Sequence, residues 1–129
     1  MNALGICGSP RAGGNTEILI QRCLDRLEAG GIETRLVRLR EKKVGGCVAC
    51  RSCFERKDGK CAVTGDDFNE VFALMKGSDI IVVGSPVYFG SATPEMMALL
   101  DRAGYVCRAN GDLLSRKIGG PIVVARPAR

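Results

Sequence analysis

Four cysteines stand close together near the middle of the chain and could bind metal. Cys47, Cys50, Cys53 and Cys61 follow the spacing Cys-x2-Cys-x2-Cys-x7-Cys and fall within 15 residues. A cluster of four irons needs four thiolates around a compact cage, and a loop with this spacing can wrap one. Zinc could use the same sulfurs, although zinc ribbons usually present two Cys-x2-Cys pairs separated by a longer insert. Thiols or disulfides without metal are the third alternative.

A second candidate site is the glycine-rich segment over residues 8–16, which reads Gly-Ser-Pro-Arg-Ala-Gly-Gly-Asn-Thr. It joins a predicted strand to a predicted helix, so backbone N–H groups and the positive end of a helix dipole meet there, which suits a phosphate group. Neither Gly-x-Gly-x-x-Gly nor Gly-Lys-Ser/Thr occurs in it, which excludes those two nucleotide motifs. The alternative is a polar turn in which Asn15 or Thr16 caps the helix. The candidate phosphate-binding residues are Ser9, Arg11, Gly13, Asn15 and Thr16.

A third candidate site follows the most apolar predicted strand, over residues 84–94. Ligands of open parallel sheets bind at the carboxyl ends of the strands. The segment offers flat apolar surface and a glycine that permits close backbone approach, as a flavin ring would need. The alternative is that Tyr88 and Phe89 only cover the following helix. The candidate ring-binding residues are Pro86, Val87, Tyr88, Phe89, Gly90 and Ser91.

These segments resemble the NADPH-dependent FMN reductase family, which has a flavodoxin-like fold. Gly8-Ser9-Pro10-Arg11 followed by Asn15-Thr16 is similar to the loop that grips the FMN phosphate in that family, and residues 85–91 are similar to its flavin-ring loop. The cysteine spacing resembles the compact motif of the iron–sulfur flavoproteins, a branch in which it binds a 4Fe–4S cluster. The resemblance extends from residue 2 to about residue 126.

The resemblance implies an FMN-dependent oxidoreductase. Its electron donor would be NAD(P)H or a ferredoxin-like protein, and its acceptor a quinone, a flavin or another oxidant. It also implies a homodimer or tetramer. A non-enzymatic flavodoxin-like electron carrier and a truncated domain without activity remain the alternatives. The chain has no histidine, so acid–base hydrolysis is poorly supported, whereas flavin chemistry does not need such groups.

The elements that must position these sites alternate between apolar strands and amphipathic helices, which predicts an α/β fold with a parallel sheet. We expect strands over residues 3–8, 33–39, 79–84 and 118–125, and helices over residues 18–27, 68–77 and 94 to about 105. The cysteine-rich insert covers about residues 42–65. The resemblance implies a flavodoxin-like three-layer sandwich with strand order 2-1-3-4. We expect the fifth strand and last helix of such a fold to be missing from this chain, because Pro127-Ala128-Arg129 stands where the loop after the fourth strand would begin.

Length and composition predict one domain over residues 1–129, with a net charge of +5. The basic residues are scattered and the aromatic residues few, which argues against nucleic-acid binding. No apolar run approaches the roughly 20 residues of a membrane span, and the first residues do not read as a signal peptide. The seven cysteines are odd in number and four of them are clustered, which favours a reducing cytoplasm over a secreted disulfide scaffold. We expect Cys7 and Cys23 to be small core residues and assign no role to Cys107, which should follow a helix.

Overall fold

The computed structural model describes residues 1–126, so the predicted loop at Pro127-Ala128-Arg129 lies outside the described residues. Four parallel strands form one sheet in the order β2-β1-β3-β4, which confirms the predicted order. The strands are β1 (Asn2–Cys7), β2 (Glu33–Arg38), β3 (Ile80–Pro86) and β4 (Ile118–Val124).

Helices connect the strands and cover both faces of the sheet. They are α1 (Asn15–Ala29), α2 (Ser52–Arg56), α3 (Phe68–Gly77) and α4 (Pro94–Ala109), with a 3-10 turn at Leu39–Glu41. Within residues 1–126 no helix is both long and apolar enough to cross a bilayer.

Two apolar cores lie on opposite faces of the sheet because successive side chains of a strand point to opposite sides. Ile20 and Leu24 of α1 pack on one face, against residues such as Ala3 and Cys7 of β1. Helices α3 and α4 pack on the other face through residues such as Phe68, which contributes to the core around Leu4 and Ile6. The sheet between two helical layers is the predicted three-layer sandwich.

Two local predictions were wrong. Helix α4 continues to Ala109 because Val106 and Ala109 still face the core, and it ends only where Gly111 adopts a φ of 78°. Cys107 therefore lies within this helix and is half-buried. The cysteine-rich insert also contains a short helix, α2, where we expected only loop. Cys7 is buried and Cys23 half-buried, as predicted for core cysteines.

Candidate functional site

One cleft of about 530 Å³ lies at the carboxyl ends of β1, β3 and β4. Parallel strands bring these ends to the same edge of the sheet, so the two predicted loops become neighbours there. Eight of the eleven predicted cofactor-binding residues line this cleft: Ser9, Arg11, Gly13, Asn15, Thr16, Pro86, Val87 and Tyr88.

Four further residues line the cleft: Gly14, Val124, Ala125 and Arg126. Gly14 belongs to the predicted phosphate loop, between Gly13 and Asn15. The sequence did not indicate the other three, which are the last residue of β4 and the two residues after it, and only the placement of β4 beside β3 brings them to the cleft. No signal in their own segment marks them.

Phe89, Gly90 and Ser91 do not line the cleft, because the segment folds into a tight turn. The N–H of Tyr88 donates to the carbonyl of Ser91 at 2.8 Å, and the N–H of Ser91 donates back at 3.2 Å. Phe89 and Gly90, the two central residues of the turn, have φ values of 50° and 82°. A hairpin turn whose two central residues both have positive φ requires such values. The Phe89 side chain is fully exposed at the tip. The assignment of these three residues to a flavin ring stays a prediction.

The loop after β1 presents the start of α1 to the cleft. Gly14 is the residue before the helix, and no side chain caps the first N–H groups. Asn15 and Thr16 are the first two helical residues instead, so the predicted alternative of a side-chain cap from either was wrong. Uncapped N–H groups at the positive end of a helix favour a bound anion.

Glu17 holds this loop in place from the first turn of α1. Its carboxylate accepts the N–H of Gly13 at 3.1 Å, Nε of Arg38 at 2.6 Å and Nη1 of Arg40 at 2.7 Å. Hydrogen bonds from Arg38 and then Arg40 lower the pKa of Glu17 to about 2. Nη2 of Arg40 also lies 3.7 Å from the Glu41 carboxylate, so the two guanidinium groups beside the loop are matched by two carboxylates. A glutamate three residues after the helix cap was a signal that the sequence analysis did not use.

Thr93 ties the two walls of the cleft together from the start of α4. Its hydroxyl donates to the carbonyl of Gly8 at 2.7 Å, and its N–H donates to Oγ of Ser85 at 3.0 Å. The same hydroxyl accepts the N–H of Met96 at 3.4 Å, which confirms the predicted helix cap. Thr93 is fully buried, so these bonds fix the loop after β1 against the end of β3.

A separate cavity of about 90 Å³ is lined by all four predicted metal ligands, Cys47, Cys50, Cys53 and Cys61. None of them is in a disulfide: Cys47 and Cys50 are exposed, and the other two are half-buried. Among residues 1–126 no three His, Cys, Asp or Glu side chains are arranged to hold a single metal ion. The four thiols therefore share one cavity without converging on one point.

The backbone between the cysteines turns sharply at residues that carry side chains. Ala49, Arg51 and Lys57 adopt left-handed conformations with φ values of 55°, 60° and 47°. Such conformations are uncommon for residues with a side chain and are often found at functional sites. Gly59 also has a positive φ, of 70°.

Helices α3 and α4 anchor the cysteine loop. Asn69 of α3 clamps Cys61, accepting its N–H and donating to its carbonyl, both at 2.9 Å. Arg102 of α4 is only 1% exposed and reaches the loop through four hydrogen bonds. Their acceptors are the carbonyls of Gly45 at 3.1 Å and Val63 at 3.1 Å, the Asp66 carboxylate, and Sγ of Cys61 at 3.3 Å. Its guanidinium also lies 4.2 Å from the centre of the Phe68 ring.

The family described as NADPH-dependent FMN reductase matches this sequence over residues 1–128. The chain belongs to that family. Two relatives are archaeal proteins named iron-sulfur flavoprotein. The one from Methanocaldococcus jannaschii is 38% identical over 96% of this chain and 62% of its own length. The one from Methanosarcina thermophila is 36% identical over 96% of this chain and 63% of its own length. The chain thus spans less than two thirds of the length of each of these two relatives.

Solved structures share the flavodoxin-like fold of the family. RosB with a bound riboflavin-phosphate intermediate matches with a TM-score of 0.76 at 20% identity, covering 99% of this chain and 53% of RosB. An NADH:FMN oxidoreductase in its apo form matches with a TM-score of 0.61 at 17% identity, covering 96% of this chain and 58% of that protein. At these identities the likeness concerns the fold alone, and it confirms the predicted fold class.

Proposed function

We propose that this chain binds FMN in the cleft at the strand ends and works as an FMN-dependent oxidoreductase. One observation carries the proposal. The loop after β1, whose uncapped helix start suits a phosphate, and the loop after β3, which contributes Pro86, Val87 and Tyr88, form walls of the same cleft. Membership of the NADPH-dependent FMN reductase family supports the same conclusion.

The residues present fit the two ends of this cofactor. Ser9, Arg11, Asn15 and Thr16 would hold the phosphate together with backbone N–H groups of the loop and of the α1 start. Pro86, Val87 and Tyr88 would support the ring, and the Phe89–Ser91 turn would lie at the rim. When bound, FMN supplies the hydride and electron chemistry, and the protein contributes binding, orientation and electrostatics.

The proposed electron donor is NAD(P)H, with a ferredoxin-like protein as the alternative, and the proposed acceptor is a quinone or a free flavin. Solved structures that share the fold include proteins named NADH:FMN oxidoreductase and flavone reductase. The guanidinium of Arg11, which lines the cleft, would favour phosphate-bearing molecules there.

We propose in addition that the four cysteines bind a 4Fe–4S cluster. They line one cavity, and their Cys-x2-Cys-x2-Cys-x7-Cys spacing suits a compact iron–sulfur cluster better than the paired cysteines of a zinc ribbon. The name iron-sulfur flavoprotein of the archaeal relatives points the same way. Helix α4 would connect the two centres. Thr93, which ties together the loops that form the flavin cleft, stands before its start, and Arg102, which lines the cysteine cavity, lies about 14 Å further along the helix axis.

A homodimer or tetramer is the proposed assembly. Phe89 is fully exposed at the tip of its turn, and Val87 and Tyr88 beside it are also exposed. Three adjacent apolar side chains at the mouth of a cleft are typical of a surface that a second copy covers.

An ultraviolet–visible spectrum and an iron assay of protein purified without oxygen test the proposal. We expect flavin bands, additional broad absorbance near 400 nm from a cluster, and NADPH oxidation with a quinone or FMN as acceptor. Flavin-loaded protein with negligible turnover would favour the electron carrier. Protein that binds no flavin would contradict the proposal and favour an inactive domain.

A further inference from the structure

Arg102 is a buried cation attached to the cysteine loop at both of its ends and at one of its thiols. Gly45 precedes the first cysteine and Asp66 follows the last, and the same guanidinium bonds to both. We propose that Arg102 is a positioning residue that sets the reduction potential of the cluster bound by Cys47, Cys50, Cys53 and Cys61. This inference rests on the proposed function, because it takes the four cysteines to hold a cluster.

The contact with Cys61 separates this role from a purely structural one. Nη2 of Arg102 donates to Sγ of Cys61 at 3.3 Å, and hydrogen bonds to the sulfurs are among the factors that set the potential of an iron–sulfur cluster. Such a bond withdraws electron density from the sulfur and so stabilises the reduced cluster. The guanidinium is 1% exposed, so water and salt screen it little.

The other bonds of Arg102 leave one of its donors without an acceptor. Arg102 lines the cavity together with the four cysteines, and its buried Nε has no hydrogen-bond partner among residues 1–126. Buried donors are rarely left without an acceptor. Cluster sulfur is an acceptor of suitable chemistry for a cavity bounded by cysteines.

The effect of Asp66 on the reduction potential must be separated from that of Arg102 in any test, because the Asp66 carboxylate offsets the guanidinium charge. Asp66 is also fixed by the N–H of Gly45 at 2.9 Å and that of Phe68 at 3.2 Å. Replacing Arg102 alone would leave this carboxylate unpaired near the cluster and lower the potential for a second reason. The double variant Arg102→Met with Asp66→Asn removes both charges and isolates the N–H···S contribution.

The decisive experiment is a redox titration of the cluster, followed by electron paramagnetic resonance, in anaerobically reconstituted protein. The variants are Arg102→Lys, the double variant and, as a control, Arg108→Met, which removes an exposed charge from the same helix. We expect the double variant to shift the ratio of reduced to oxidised cluster about tenfold towards oxidised, or about 59 mV for one electron. Arg102→Lys should fall between it and the wild type, and Arg108→Met should match the wild type.

A wild-type potential in cluster-loaded Arg102→Lys and double variants would overturn the inference and leave the proposed function standing. Wild-type protein that binds flavin but no iron would overturn both this inference and the proposed cluster.

If the variants fail to retain the cluster, the inference is tested on the wild type instead. Guanidino-¹⁵N arginine in the wild type should give a weak nitrogen coupling to the reduced cluster in a spin-echo measurement, and Arg51→Lys should keep it. Absence of that coupling would also overturn the inference.

Discussion

At the residue scale, Glu17 links the fold to the candidate phosphate loop. It accepts the Gly13 N–H of the loop and guanidinium groups from the end of β2 and the turn that follows. Because its pKa is lowered from 4.5 to about 2 by folding, its ionised form stabilises the native state. This stabilisation is complete above the unfolded pKa and is lost as the pH falls towards 2.

Glu17→Gln should therefore cost about 1–2 kcal/mol of unfolding free energy at pH 7. The difference from the wild type should shrink between pH 4.5 and about 2, because only the wild type loses an ionised group there. Urea unfolding across this pH range measures both effects. Glu28→Gln is the control, since Glu28 is exposed at the other end of α1, and it should leave stability nearly unchanged. Equal losses in both variants would contradict the role of Glu17.

Thr93 gives a second prediction at this scale. Thr93→Val keeps the shape of the side chain but leaves the Gly8 carbonyl without its hydroxyl donor and removes the cap of α4. We expect a loss of about 1–3 kcal/mol in unfolding free energy and weaker FMN binding, because the two walls are no longer tied. Thr93→Ser should retain most of both properties. A Thr93→Ser variant as poor as Thr93→Val would show that the hydroxyl is not what matters.

Individual residues that organise the sites were the hardest to predict. Glu17 bonds to partners 21 and 23 residues away, and Arg102 bonds to Asp66 across 36 residues. A single sequence shows periodicity and local motifs, but not which distant charges meet. Arg102 also sits among core residues of α4, where a charged residue is expected to face solvent unless it is paired.

At the element scale, the contact between α1 and β3 fixes the height of the phosphate loop above the sheet. A Cβ at Gly84 would lie 2.5 Å from Cδ1 of Ile20, which is closer than packed carbon atoms allow. Glycine at this position is therefore required by a close approach of helix and strand.

Gly84→Ala should lower the unfolding free energy by about 1–3 kcal/mol and displace α1, weakening FMN binding. Adding Ile20→Val removes the atom in closest contact and should recover part of the loss. Gly119→Ala in the neighbouring strand is the control, because a Cβ there meets nothing within 4 Å. Thermal unfolding and FMN titration of the three variants and the wild type measure the loss and its recovery. A Gly84→Ala variant with the stability and FMN affinity of the wild type would contradict the close approach of α1 and β3.

Elements with strong periodicity were predicted well. The apolar run of β3 and the helix start at Thr93-Pro94 were found where the sequence indicated, because burial on both faces and a side-chain cap leave local signatures. Helix α2 was missed because five residues are too few to show a helical period. The turns at Ala49, Arg51 and Lys57 were missed because left-handed backbone is usually read from glycine or asparagine.

At the scale of the whole molecule, the exposed apolar turn predicts self-association. Phe89→Ser should shift sedimentation of the protein from dimer or tetramer towards monomer, because it removes the most exposed aromatic side chain. The control is a variant with a serine inserted after Met1, which is another exposed apolar residue and lies away from the cleft. A wild type that sediments as a monomer at micromolar concentration would contradict the proposed assembly.

The meeting of the two loops in one cleft was predictable, because it follows from strand order in a parallel sheet. The contribution of the residues at and just after the end of β4 was not, since it depends on how β4 is placed beside β3. The cytoplasmic location inferred from the cysteines stays a prediction.

The measurement that tests the account most directly is a titration of the protein with FMN and, separately, with riboflavin, which lacks the phosphate. We predict that FMN binds at least about tenfold more tightly, and that Arg11→Gln removes much of this preference while exposed Arg22→Gln on α1 does not. Tyr88→Ala should weaken both ligands, because it acts on the ring wall. Equal affinity for the two ligands, or no binding of either, would contradict a cleft that holds a phosphate on one side and a flavin ring on the other.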